Sequence, residues 1–321
     1  MRALAFLLFL QGVTACLPAV ASVCPQKVVR MLVGFPPGGS TDMVARIIAP
    51  PLGEFFHQQF IIDNRPGAGG DIATEMAARA RPDGCTLLVV SAAFSSNISV
   101  FTRASYDPLR QFSPVARVAV LTNVLVVHPS LPVHRVHDLV AFAKARPGEI
   151  SLATLGVGST SQLALKLLKR RVGGLNVLEV PYKGAPLAVL DLLAGEVDGF
   201  FATSPIVTSH IRSGRLRALA VASLRRSTVL PDVPTFTEEG YRGFEAPAWV
   251  GIVAPAGTAY DNIVRLDVAL AQVVKAPEVK GRFALQGAEP VGDTAEQFRT
   301  YLRLEVEKWS RVMNVMGARV N

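Results

Sequence analysis

The stretch GFPPGGSTD, residues 34–42, decides the fold. It follows the apolar run VVRMLV at 28–33 and opens a segment in which Val44, Ile47, Ile48 and Leu52 share one helical face. A β-branched run, a glycine turn and a helix, in that order, begin a βαβ unit. The junction also has a chemistry. A helix start leaves main-chain N–H groups without intrahelical partners and carries the positive end of the macrodipole, so it holds a carboxylate or phosphate without a charged side chain. Gly38 and Gly39 allow close approach, Pro36 and Pro37 stiffen the turn, and Ser40 or Thr41 caps the helix while presenting a hydroxyl. An ordinary βα turn uses the same residue types, so other segments must decide.

Outward from this loop the alternation continues. Strands are predicted at 28–34, 60–64 and 85–91, with helices at 42–56 and 71–80 between them, which gives a parallel sheet covered by helices. A second α/β unit follows: strands at 123–128, 150–153, 177–180, 199–203 and 216–223, and helices at 136–145, 161–170 and 185–194. Residues 225–243, with Pro231 and Pro234 and little periodicity, read as a surface loop leading to a return strand at 249–254. Helices from Asp261 onward end in an amphipathic one at 294–312 that packs back on the first unit. The expected organisation is a leader at 1–21, one lobe from 22–122 with 245–321, a second lobe from 123–244, and a ligand cleft between the lobes.

Ligands of open α/β sheets bind beyond the carboxyl ends of the strands, so the residues following each strand are the candidates. After the first strand these are Phe35, Pro37, Gly38, Gly39, Ser40, Thr41 and Asp42; after the second, Ala68 and Gly69; after the third, Ser91 and Ala92. In the second unit the loop TLGVGSTSQ offers Thr154, Gly156, Val157, Gly158, Ser159 and Gln162, PYKG offers Tyr182 and Lys183, and Thr203 closes a later strand. Several glycine loops opening helices in both lobes point to an anion held between them. Lys183 can meet a carboxylate directly, and Tyr182 or Phe35 can cover an apolar ligand body or simply fill the lobe interface.

Sharper motifs are absent. No loop has the lysine of a GxxxxGK[ST] phosphate loop, Gly156 and Gly158 lack the third glycine of a dinucleotide fingerprint, and GVGST is not a GxSxG elbow. A nucleophile at Ser40, Ser91 or Ser159 needs an imidazole, yet His57, His128, His134, His137 and His210 all lie outside these loops. Asp42 has a plainer role in ordering the first helix turn, and Asp198 in preceding a strand. No enzyme activity, cofactor or metal is expected.

The N-terminus reads as an export signal: Arg2, an apolar run at 3–10 too short to span a bilayer as an anchor, and Ala19-Val20-Ala21 before the cleavage point. Val13-Thr14-Ala15-Cys16 also fits a lipoprotein-type site, with Cys16 lipidated. Either processing sends the chain to the periplasm. Cleavage after Ala21 leaves about 300 residues and two of the three cysteines, Cys24 and Cys85, an even pair whose placement before two strands suits a disulfide in an oxidising compartment. The net charge of +8 comes from scattered lysines and arginines without interleaved aromatics, which argues against nucleic acid and for an anionic ligand.

The ordered motifs FPPGGSTD at 35–42, NRPGAGG at 64–70, DGCTLL at 83–88, GVGSTSQLA at 156–164, PYKG at 181–184 and DLLAGEVDGFF at 191–201 carry a family resemblance. RALAVAS at 217–223, LPDVPTFTEEGY at 230–241 and APAGT at 254–258 extend it over the mature chain. The chain resembles the exported solute receptors of tripartite tricarboxylate transporters, the Bug (Bordetella uptake gene) family. The resemblance implies a type II periplasmic-binding-protein fold that closes on a small carboxylate, gripping it through main-chain amides and ordered water of the loops at 35–42 and 154–159. It implies as ligand a dicarboxylate, tricarboxylate, acidic amino acid or aromatic acid, and as partners the membrane subunits of a transporter, or a sensor kinase if the receptor feeds signalling. A monomer is expected, with a hydrolase or lyase on the same scaffold as the alternative of a different class. Two positions depart from the family pattern: Gln162 stands where relatives usually carry histidine, and Ala73 follows Ile72 where glycine is common.

Overall fold

A computed structural model of the chain describes residues 23–100 and 105–316. The export-signal readings at 1–21, Cys16 included, lie outside the described residues. The first half-sheet is built from β1 (Val28–Val33), α1 (Ser40–Phe56), β2 (Gln59–Asn64), α2 (Asp71–Ala78), β3 (Thr86–Ser91), α3 (Ala92–Val100) and β4 (Phe112–Leu121). The chain then enters a second sheet through β5 (Asn123–Val127), α4 (Val136–Ala145), β6 (Ser151–Thr154), α5 (Thr160–Arg171), β7 (Leu178–Pro181), α6 (Ala185–Ala194), β8 (Gly199–Thr203), α7 (Ser204–Arg212) and β9 (Arg217–Val221). It returns with β10 (Ala248–Pro255), α8 (Tyr260–Lys275), α9 (Pro277–Leu285), β11 (Ala288–Pro290) and α10 (Ala295–Met316). The two sheets have the orders β11-β4-β10-β3-β1-β2 and β7-β6-β8-β5-β9.

Each sheet is buried on both faces, and strand alternation divides its residues between two cores. Met31, Val33, Leu87, Val89, Val250 and Ile252 face α1, α8 and α9, whereas Leu32, Leu88, Val90, Trp249 and Val253 pack with α2, α3 and α10. In the second sheet Leu125 and Val127 belong to one core and Val124 and Val126 to the other. β1 pairs in parallel with β2 and β3, as the βαβ reading requires. The sheets are nonetheless mixed: β10 runs antiparallel to both β3 and β4, and β5 antiparallel to β8 and β9. The strands that carry the chain between sheets enter from the opposite end, which reverses their direction.

Three segments differ from the sequence reading. Residues after β3 continue as α3 rather than as a loop, with Ser95, Ser96 and Asn97 buried. The stretch 225–243 is not a surface loop, because Phe236 is fully buried and stacks with Phe244 at 4.0 Å and with Phe201 at 5.8 Å. Its prolines prevent regular structure, but its aromatic side chains close the second core. Finally, α10 packs on the first sheet through Phe298 and Leu302 and also reaches the second lobe, where Trp309 packs on Leu163 of α5.

Candidate functional site

Five helix starts converge between the lobes. Gly39, Ser40 and Thr41 open α1, Ser91 precedes α3, Ser159, Thr160 and Ser161 open α5, Ala185 opens α6, and Thr203 caps α7; all line one inner chamber of about 70 Å³. Its floor includes Leu121, Asn123, Phe200, Phe201 and Trp249, and none of the described residues lining it is charged. An anion there is favoured by about 0.3–1 kcal/mol per helix terminus, and by up to about 2 kcal/mol in partly buried geometry. Ser40 and Thr203 hydrogen-bond through their hydroxyls, joining the lobes at this point.

The two main loops are built alike. In each, the third residue of the helix reaches back to the amide of a glycine with positive φ that precedes the N-cap. Asp42 Oδ2 accepts from the Gly38 amide at 3.0 Å (φ +82°), and Gln162 Oε1 accepts from the Gly158 amide at 3.0 Å (φ +74°). The bond is a variant of the capping box. Ser159 Oγ accepts from the Gln162 amide at 3.3 Å, while Gly39, the N-cap of α1, has no side chain to offer the first-turn amides.

Asp42 ties its loop further: it accepts from Arg46 Nε at 2.9 Å and from Asn64 Nδ2 at 3.0 Å, and Asn64 Nδ2 also donates to the Phe35 carbonyl at 3.0 Å. Burial pushes the Asp42 carboxyl up, but Arg46, the Gly38 amide and Asn64 together outweigh it and hold the group below the ordinary range. With a folded pKa beneath the unfolded one, the stabilisation is complete above about pH 4 and fades as pH falls through the folded value. Asp42→Asn is therefore expected to melt lower than wild type at pH 7, with the gap narrowing below about pH 4; equal melting temperatures at pH 7 would remove Asp42 from this role.

A second, larger chamber of about 860 Å³ lies at the mouth of the cleft. Of the candidates, Ala68, Gly69, Gly156, Val157, Tyr182 and Lys183 line it, and Phe35 lines both chambers. Tyr182 donates to Asp191 at 2.7 Å; burial and that bond push its hydroxyl up to about 12. Pro37, Gly38, Asp42, Ala92, Thr154, Gly158 and Gln162 line neither chamber. Pro36 rather than Pro37 faces the cleft. Gln162, expected at a ligand-reading position, is engaged within its own loop, so a neutral amide does there what the Asp42 carboxylate does in the first lobe. Asn123, Trp249, Phe200 and Leu155 were not singled out in the sequence. Asn123, a polar residue opening the wholly apolar run VLVV, carried a signal; the other three did not.

Behind the second loop the lobes touch again. Ser96 Oγ donates to the Gly158 carbonyl at 2.8 Å across the seam, and within the first lobe Asn97 Nδ2 donates to Asp71 Oδ1 at 2.5 Å. Burial raises the Asp71 carboxyl. Cys24 and Cys85 are disulfide-bonded, with their Cα atoms 4.7 Å apart, ahead of the amino ends of the interior strands β1 and β3. His57 ends α1, His128 follows β5 and bonds Ser130, and none of the five histidines lines either chamber. Among the described residues no three His, Cys, Asp or Glu side chains are placed to share a metal ion, and no helix is long and apolar enough to cross a membrane.

Two α/β lobes, joined by crossing strands and facing each other through helix starts, define a binding protein of the periplasmic type. Comparison with known proteins gives the family. Residues 44–318 match the tripartite tricarboxylate transporter family receptor (TctC), and the chain belongs to that family. Protein BugT of Bordetella pertussis is 39% identical over 305 residues, spanning 94% of this chain and 93% of that one. The solved periplasmic binding protein BugD is 34% identical, with a TM-score of 0.86 over 91% of this chain and 98% of BugD. R. palustris Rpa4515, solved with adipate, is 33% identical with a TM-score of 0.87 over 91% and 98%. MatC from Rhodopseudomonas palustris, solved with bound malate, is 29% identical with a TM-score of 0.84 over 89% and 98%. These relatives support the resemblance drawn from the loop motifs and the two-lobed fold expected from it.

Proposed function

We propose that this chain is an exported receptor that captures a small organic carboxylate between its lobes and presents the closed form to the membrane subunits of a transporter. The observation that carries this is the inner chamber, where helix starts from both lobes meet and none of the described lining residues is charged. Main-chain donors recognise a carboxyl group whatever the rest of the molecule, and each lobe contributes only part of the seat, so the ligand stabilises the closed form by contacts available only there. Lobe boundaries at 22–122 with 245–321 and at 123–244 suit this reading, since the chain leaves the first sheet after Leu121 and returns to it at Ala248. Removal of the leader at 1–21 on export of the chain to the periplasm completes it. The same reading makes the chain a binding protein and not an enzyme, as membership of a receptor family implies.

Thermal-shift screening of the mature protein against mono-, di- and tricarboxylates tests it, followed by calorimetry and mass spectrometry of the recovered ligand. Saturable one-to-one binding with the ligand returned intact is expected. Conversion of the ligand, or no shift with any carboxylate, would contradict the proposal.

A further inference from the structure

The cleft is divided, and its two chambers differ in chemistry. The inner one, about 70 Å³, is much the smaller and is where the helix starts meet, so a ligand seated there by its acid group extends its far end into the outer one. The outer one, about 860 Å³, is walled largely by apolar groups, Pro66, Val157, Pro181 and Leu187 among them. Phe35, Pro36 and Leu155 belong to both walls, so a ligand that reaches from one chamber to the other passes between apolar side chains. The Tyr182 hydroxyl is committed to Asp191. Lys183 is the one charged side chain among the described residues of the outer wall, and it is exposed to solvent.

We propose that the ligand is a monocarboxylate with a neutral, apolar body: the acid group occupies the inner seat and the body extends past Phe35 and Leu155 into the outer chamber. This rests on the carboxylate-receptor reading above and narrows it. A second carboxylate in the outer chamber would exchange its hydration for apolar walls, and a single solvated lysine compensates little. An apolar body gains from the same walls by leaving water. Leu187, 54% exposed at the mouth of the cleft, is surface that such a body covers.

Calorimetric titration of the mature protein with hexanoate and with adipate tests the inference, because the two share a six-carbon chain and differ at the far end. Hexanoate is expected to bind at least about tenfold more tightly than adipate. Leu187→Ser, a change at an exposed position, is expected to weaken hexanoate about threefold or more. Adipate binding as tightly as hexanoate or more so would overturn the inference and leave the carboxylate receptor standing. Unchanged hexanoate affinity in Leu187→Ser would place the body elsewhere and overturn it as well. No binding of either acid, with no shift from any carboxylate in the screen, would overturn the receptor reading and this inference together.

Discussion

Gly184→Ala is expected to weaken ligand affinity by about 5- to 150-fold while leaving the melting temperature of the ligand-free protein nearly unchanged. Gly184 is the N-cap of α6 and has φ 161° and ψ 157°, extended backbone that alanine adopts without strain. A methyl group there would lie 2.7 Å from Pro36 Cγ on the facing lobe. The conflict arises only when the lobes approach, so it acts on closure and not on folding. Overpacking of this kind costs about 1–3 kcal/mol, and charged against the closed state alone that is the stated loss of affinity. Two other glycines mark the same seam: a Cβ at Gly69 would sit 2.9 Å from the Val157 carbonyl, and one at Gly158 would overlap Asn97 Oδ1. Both have positive φ, so their substitution strains the backbone of either state and makes a less selective test. Calorimetry and small-angle scattering on Gly184→Ala read the effect; wild-type affinity would show that the lobes do not close against each other here.

Removing the disulfide, as Cys24→Ser with Cys85→Ser, is expected to cost about 2–4 kcal/mol and to lower the melting temperature by about 3–6 °C, without changing affinity. The bond joins the residue region before β1 to the residue that precedes β3, across 61 residues of sequence that include α1, β2 and α2. A cross-link of that span restricts the unfolded chain by about 4 kcal/mol in the chain-entropy model. Both cysteines are buried, and Gln58 ties the same corner: its Oε1 accepts from the Val23 amide at 2.8 Å and its Nε2 donates to the Cys24 carbonyl at 2.6 Å. This corner lies at the amino ends of β1 and β3, whereas the chambers lie beyond their carboxyl ends, hence the unchanged affinity. A Cys24→Ala, Cys85→Val pair controls for the buried hydroxyls. Melting temperatures equal with and without the bond would refute the expectation.

The parallel strands and their helices were legible because β-branched runs, glycine turns and a helical apolar face occur in sequence between residues 28 and 91 and again between 123 and 203. β4 and β11 were not, nor was the reversed direction of β5 and β10, whose positions at 123–128 and 249–254 were. β4, FSPVARVAVL, carries Pro114 and Arg117 inside its apolar run, and its partner β10 lies more than a hundred residues away. α3 was hidden by Ser95, Ser96 and Asn97, polar residues that read as loop yet are buried where the lobes meet, with Ser96 bonded across to Gly158. At the site, the glycine loops and their hydroxyls declared themselves locally. The Phe35, Pro36 and Leu155 divide did not, because it exists only when two lobes are brought face to face. Asp42 and Gln162 show how one loop geometry is reached by different chemistry, a carboxylate in one lobe and an amide in the other.

The claim on which the account depends is that main-chain donors of helix starts in both lobes hold the acid group. Backbone amide NMR of the mature, ¹⁵N-labelled protein, titrated with the carboxylate that binds most tightly in the screen, measures it directly. The account predicts that the largest downfield amide-proton shifts fall on Ser40 and Thr41 in one lobe and on Thr160 and Ser161 in the other. Shifts confined to one lobe, or gathered around Lys183 with these four amides unmoved, would contradict it.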